Sequence, residues 1–408
     1  MKDLFTIPVT EGENKGKTII YAPLKKIVRL AETAEDIEEI KSEIAGLPDV
    51  LINKTSTDPQ EFRTLMILPN NKCNFRCSYC YSAKGRSNGE MNVKMLNTAL
   101  EWFITPDRLP GKKLTIIYIG GGEPLLSWSI VRSSIEYAME LNQRRQGSLY
   151  ISIVTNGSIL NDEIVDFCKR TNVGICASYD ILEETQNKYR GHYEEVTRNI
   201  NTYSSEGVDV GITTVVTEEN IHRMTEMITA MHESIPLVRQ VSLKPLVPDD
   251  RFSKFASMND YYQSFVENFF QAKAKADELG IRLTCPYYNA VSVIQDRFCE
   301  GKFVLSPEGH VTGCNFVSSP KEAQFDEFMI GKACEDQVQI DESRVRRVFS
   351  HNNSLEMCSD CPARYHCAGG CYADHQYMNS EHKETFCQAM RYFLQKYLEF
   401  RIAAQIDK

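Results

Sequence analysis

Residues Asn71–Tyr81 read NKCNFRCSYCY, and the cysteines among them, Cys73, Cys77 and Cys80, are separated by three and then two residues. Three thiols held this close constrain the chain more than any bulk property. A four-iron cluster takes four ligands, so a short loop offering three thiolates leaves one iron open to a small molecule. A zinc loop and a chance grouping of cysteines are the other readings of the same residues.

With 408 residues the chain is too long for one small core, and two or three domains are expected. Its 42% hydrophobic and 25% charged residues are ordinary for a soluble globular protein. A net charge of −9 argues against a nucleic-acid partner, because phosphate binding needs a basic surface. An acidic surface suits a basic peptide, and it equally suits plain solubility. The N-terminal residues MKDLFTIPVTEGENKGK carry no apolar run of signal type, and no stretch reaches membrane-spanning length. Fourteen cysteines suggest either metal sites or disulfides. Spacing of metal-ligand type and the missing export signal favour the former, in a reducing cytoplasm.

Three parts are expected: residues 1–60, 61–275 and 276–408. In the first, Lys17–Tyr21 and Ile27–Leu30 look like short strands, and Thr33 caps an acidic helix ended by Gly46. Such a unit can dock a leader peptide along a sheet edge or serve as a structural lid. From Glu61 onward, strand-like runs at Thr64–Leu68, Leu114–Ile119, Tyr150–Val154, Gly174–Ser178, Val208–Val216 and Val241–Lys244 alternate with helix-like ones. That alternation predicts βαβ units and a parallel sheet. Six strands are too few for a closed eight-fold barrel, so the expected fold class is α/β, a partial (β/α)6 TIM-type barrel. Its site belongs at the C-terminal strand ends, where the cysteine loop falls. A long polar helix, roughly Asn259–Leu279, leads into a cysteine-rich tail.

The cysteine loop, with Tyr79 just before its last cysteine, resembles that of the radical S-adenosylmethionine (SAM) superfamily. Other segments extend the likeness. Gly121, Gly122 and Glu123, after the second strand, resemble the GGE motif that holds the SAM amino group. The tetrapeptide Ala177-Ser178-Tyr179-Asp180 resembles an S-I-D-G segment, with Ile181 where glycine is usual, and Arg190 stands twelve residues beyond Ser178. The resemblance implies that Ser178 and Arg190 contact SAM, the arginine at its carboxylate, and that Leu246 packs on its adenine. A two-pronged guanidinium–carboxylate pair suits that role. In this superfamily a reduced cluster cleaves SAM to a 5′-deoxyadenosyl radical, which takes a hydrogen atom from an unactivated C–H bond.

In the tail, Cys299, Gly309 and Cys314 are followed by Cys358-x2-Cys361-x5-Cys367-x3-Cys371 and, fifteen residues on, Cys387. This order resembles the SPASM motif, the mark of a C-terminal iron–sulfur domain with auxiliary clusters; a zinc ribbon accounts for the middle four cysteines only. The resemblance implies that Cys358, Cys361, Cys367 and Cys387 hold an outer cluster, and that Cys371 joins Cys299 and Cys314 on an inner one. Cys285 is the candidate fourth inner ligand, an open iron being the competing reading. Three [4Fe-4S] clusters are then expected in all. Cys168 and Cys176 are expected as buried thiols, and Cys334 is given no role.

Two branches of this group offer a reaction: anaerobic sulfatase maturation to formylglycine, and oxidative crosslinking of small ribosomal precursor peptides (RiPPs), by a thioether or carbon–carbon bond. In the sulfatase branch an aspartate after the second tail cysteine is the base; here that position is Asn315, whose amide cannot accept the proton. Tyr287, Glu300 and Asp180 are candidate replacements. The expected function is therefore that of a peptide maturase, acting on a precursor peptide with a reductant such as flavodoxin or ferredoxin, and with neither nucleic acid nor membrane. A non-catalytic zinc or electron-transfer protein is the alternative of another class.

Overall fold

A computed structural model describes residues 3–406 apart from 53, 107, 109–112, 247–256 and 374–379. Three antiparallel strands, β1 (Phe5–Pro8), β2 (Thr18–Ala22) and β3 (Ile27–Ala31), make a small N-terminal sheet in the order β1-β2-β3. The helix Ala34–Ala45 covers it. Thr33 caps this helix in a capping box with Asp36, the side chain of each residue accepting from the other's backbone N–H. Ile20, Ala22, Ala31 and Ile44 form a small core of their own. The unit is fastened to the tail: Tyr365 donates to Asp3 at 2.9 Å, and Tyr21 is hydrogen-bonded to His366.

The large sheet begins with six parallel strands, β4 (Thr64–Ile67), β5 (Lys113–Tyr118), β6 (Ser148–Thr155), β7 (Gly174–Ser178), β8 (Val210–Val216) and β9 (Gln240–Pro245), paired in sequence order. Helices return the chain between them, as parallel pairing requires. Two short strands extend the row: β10 (Arg282–Thr284) pairs parallel to β9, and β11 (Phe303–Leu305) parallel to β4. Beyond β11 lie the antiparallel β12 (His310–Thr312), β13 (Met329–Ala333) and β14 (Val338–Ile340). Because β10 and β11 are not paired with each other, the barrel stays open. The sheet crosses the boundary expected near residue 275, so the tail continues the barrel.

Side-chain alternation decides which face does what. Leu114, Ile116, Tyr118, Ile151, Ile153, Ile175, Ala177, Ile212, Val241 and Leu243 are buried in one continuous core. The alternate residues Thr115, Cys176, Ser178, Thr213, Ser242 and Lys244 are only half-buried. A parallel sheet is normally buried on both faces. This one leaves its concave face partly open and polar, as a barrel that lines a site would.

Candidate functional site

The C-terminal ends of β4–β9 share one rim, and the cysteine loop leaves the first of them. Its near side is laced to the glycine turn after β5. Gly122 N–H donates to the Asn70 carbonyl at 3.1 Å and Glu123 N–H to the Lys72 carbonyl at 2.5 Å. The Asn70 amide donates in return to the Glu123 carbonyl at 2.9 Å and to Ser127 Oγ at 2.8 Å. On the far side, Asn156 at the end of β6 donates to Asn74 at 2.9 Å, and Phe75 stacks on His192 with ring centroids 4.6 Å apart. These contacts fix a loop that has no regular structure of its own.

Cys73, Cys77 and Cys80 are half-buried and face one another closely enough to interact electrostatically. Burial pushes the Cys77 thiol up in pKa, the Arg190 guanidinium pulls it down, and Cys80, Cys73 and Asp180 add to the rise. A second guanidinium, Arg86, donates from Nη2 to Cys80 Sγ at 3.2 Å. Arg86 Nε and Arg190 Nε are both buried without a hydrogen-bond partner. Unpaired buried donors are costly, and both face chemistry that wants anions. The three thiols and two cations thus suit an iron–sulfur cluster, and Arg190 suits a ligand carboxylate.

Glu123 is buried, and burial raises its pKa against the pull of its hydrogen bonds. Its Oε1 accepts from Leu125 N–H at 3.0 Å and Thr155 Oγ1 at 2.8 Å, its Oε2 from Asn156 N–H at 2.7 Å. A carboxylate has about four acceptor positions, so Oε2 retains one for an ammonium. Tyr79 donates to Asp180, and Arg190 Nη1 donates to Tyr79 Oη at 3.2 Å. Burial opposes the Arg190 charge, but Tyr79, Cys77 and Asp180 outweigh it and keep the guanidinium protonated. Ser178 ends β7 on the concave face, and Leu246 is buried just beyond β9. Ile181, standing where the similar segment has glycine, has φ +63°, the left-handed region that β-branched residues rarely enter. The backbone keeps the glycine conformation without the glycine.

The tail reaches this rim. Tyr81 packs on Phe316 with centroids 5.0 Å apart and hydrogen-bonds the Asn315 side chain. Lys302 collects three of the tail cysteines. Burial opposes its charge, yet the thiols of Cys299, Cys314 and Cys371 hold its pKa above the ordinary value. Cys371 thus lies with Cys299 and Cys314 across a long gap in sequence. Cys387 interacts with Cys361 and Cys358, and Cys367 closes the short helix Arg364–Cys367.

Cys285 is placed differently. Its Sγ accepts from Tyr288 N–H at 3.3 Å as the cap of the helix Pro286–Val291, and burial pushes its thiol up to about 12. Its charged neighbour is Lys244. Tyr287 is buried against Tyr262, Phe265, Phe386 and Phe393, a packing position. Glu300 points to solvent with its side chain 74% exposed, 3.7 Å from Arg63. Cys168 is buried, Cys334 is exposed, and Cys176 faces the barrel interior, 3.3 Å from Thr213 Oγ1. Arg86, Asn156 and Lys302 are the residues that motif spacing does not mark. Their only sequence signal is a polar or cationic residue within a few positions of a motif.

Residues 67–231 match the Radical SAM superfamily. A cysteine-type anaerobic sulfatase-maturating enzyme of Clostridium novyi is 24% identical over 82% of this chain and 94% of its own length. The solved structure of native anSMEcpe with bound AdoMet and the Cp18Cys peptide superimposes with TM-score 0.66 at 17% identity, covering 84% of this chain and 99% of that one. Streptococcus suis SuiB bound to its precursor peptide SuiA superimposes with TM-score 0.58 at 15% identity, over 93% and 97% of the two chains. Residues 67–231, with the cysteine loop at their start, are thus a radical SAM domain, in a chain similar over most of its length to a sulfatase-maturating enzyme.

Proposed function

We propose that this protein is a radical SAM peptide maturase that crosslinks a ribosomal precursor peptide oxidatively. Cys73, Cys77 and Cys80 hold the SAM-binding cluster. The turn at Gly121, Gly122 and Glu123 receives the SAM ammonium, Arg190 its carboxylate, Ser178 and Tyr79 line its pocket, and Leu246 packs on its adenine. When bound, the cluster and SAM supply a radical able to remove hydrogen from a C–H bond. The chain's own work is to orient the peptide and exclude water. Cys299, Cys314 and Cys371 hold the inner auxiliary cluster, and Cys358, Cys361, Cys367 and Cys387 the outer, giving an outlet for the second electron of an oxidation. Because Lys302 gathers Cys299, Cys314 and Cys371 while the charged neighbour of Cys285 is Lys244, we place Cys285 outside the inner set. Residues 1–60 act as the leader-docking part, through the outer edge of β3, whose one strand partner among the described residues is β2 on its other side.

One observation carries the choice of reaction. The residue after the second tail cysteine, Asn315, lies against Tyr81 beside the first cysteine loop. Sulfatase maturation is the reading favoured by the 24% identity with the Clostridium novyi enzyme, and the resemblance to that branch implies a proton acceptor at that position. An amide supplies none. The test is anaerobic incubation of the reconstituted protein with SAM, dithionite and any small peptide encoded beside its gene. Loss of two hydrogens from the peptide is the expected result. Formylglycine in a sulfatase peptide, with the neighbouring peptide unchanged, would overturn the proposal.

Arg190→Gln should weaken SAM binding by about 2–5 kcal/mol, the cost of breaking a buried hydrogen-bonded charge pair. Equilibrium dialysis with labelled SAM measures it. Unchanged affinity would remove Arg190 from the pocket.

A further inference from the structure

Arg86 stands six residues beyond the last loop cysteine, in a turn that no motif marks. Its guanidinium reaches back over the loop: Nη2 donates to Cys80 Sγ at 3.2 Å and Nη1 to the Phe75 carbonyl at 3.4 Å. Cys73 faces the same group, and Nε is buried without a partner. Among the described residues no carboxylate pairs with it, so the anions it meets are the thiols of Cys80 and Cys73. Of the other cations at the loop, Arg190 is engaged with Tyr79 and Asp180, Lys72 pairs with Glu90, and Arg76 is exposed. The charge of Arg86 is therefore free to act on the loop sulfurs.

Hydrogen bonds to the sulfurs and local net charge are among the factors that set the potential of a cysteine-ligated cluster. A cationic donor binds an electron-rich sulfur more strongly than an electron-poor one. We infer that Arg86 is a positioning residue that makes the loop's iron–sulfur cluster easier to reduce, by holding a positive charge and hydrogen bonds against Cys80 and Cys73. The step concerned is a one-electron transfer from a low-potential reductant such as dithionite or flavodoxin; the cluster gains the electron, and no bond forms or breaks. The inference rests on the radical SAM reading of the loop.

The test is a potentiometric titration followed by electron paramagnetic resonance, on the full reconstituted chain. The loop cluster is recognised by the change of its signal when SAM is added. In Arg86→Gln the reduced-to-oxidised ratio, at the potential that half-reduces the native cluster, should fall about tenfold, a shift of about 59 mV to more negative potential. Arg86→Lys keeps the charge but loses the fork, and its midpoint should fall between the two. Should Arg86→Gln fail to hold iron, Arg86→Lys alone carries the test, its midpoint again expected below the native one. An unchanged midpoint, in a variant with native iron content and a SAM-responsive signal, would overturn the inference. A native protein with no SAM-responsive signal would instead defeat the reading of the loop on which it stands.

Discussion

Replacing Cys77 with alanine is expected to abolish SAM cleavage while leaving the tail's iron in place. Cys77 is the middle thiol of the loop, and it interacts with both Cys73 and Cys80 as well as with Arg190. Two remaining thiolates cannot hold a four-iron cluster. With three clusters the reconstituted chain carries roughly twelve irons, and the variant should keep about eight. The tail cysteines form groups of their own, one around Lys302 and one around Cys387, so their loading does not depend on the loop. Iron analysis gives the first number, and chromatography of 5′-deoxyadenosine gives the second readout. Cys334→Ala is the matched control, because this thiol is exposed and should change neither. Persistent cleavage in Cys77→Ala would mean that the radical is generated elsewhere.

What could be seen in the sequence, and what could not, follows from the range of the forces involved. Thr33 with Asp36, and the alternation Leu114, Ile116, Tyr118 in β5, are local signals: a cap three residues long and a face repeating every second residue. Both were legible, as were the six long parallel strands. The strands β10 and β11 have three residues each and exist through pairing with β9 and β4, which no local pattern announces. The edge strand Phe5–Pro8 and the helix Glu183–Tyr189 were also missed, the latter because its residues run into the KYRGH segment that carries Arg190. Cys176 is expected as a buried thiol; burial does raise its pKa, and the strand register turns it toward the barrel interior beside Thr213. In the site, the cysteines stand out in the sequence because a metal cluster would restrict both residue type and spacing. Arg86, Asn156 and Lys302 answer to no such rule. Each is a donor or cation brought to a sulfur by the fold, and any loop path of suitable length would do as well.

Gly122→Ala should damage both stability and chemistry, and for one geometric reason. A β-carbon at residue 122 would lie 1.7 Å from the Lys72 carbonyl oxygen and 2.4 Å from Asn70 Oδ1. The first of these is backbone and cannot swing away as a side chain can. The Lys72 carbonyl also accepts the Glu123 N–H at 2.5 Å, so moving it breaks the lacing between the glycine turn and the cysteine loop. Overpacking of this kind costs about 1–3 kcal/mol. The catalytic loss should be larger than stability alone explains, because displacing a reacting group by roughly 1 Å can cost about 100-fold in rate. Cys73 follows Lys72 directly, so the loop's first cysteine moves with that carbonyl. Gly46→Ala is the control: it ends a surface helix at φ −81°, and an added β-carbon there meets nothing within 4 Å. Thermal unfolding and the rate of 5′-deoxyadenosine formation, measured on both variants, separate the two effects. If Gly122→Ala unfolds like the native protein and cleaves SAM at the native rate, then the close approach of the turn to the loop does not position the cysteines.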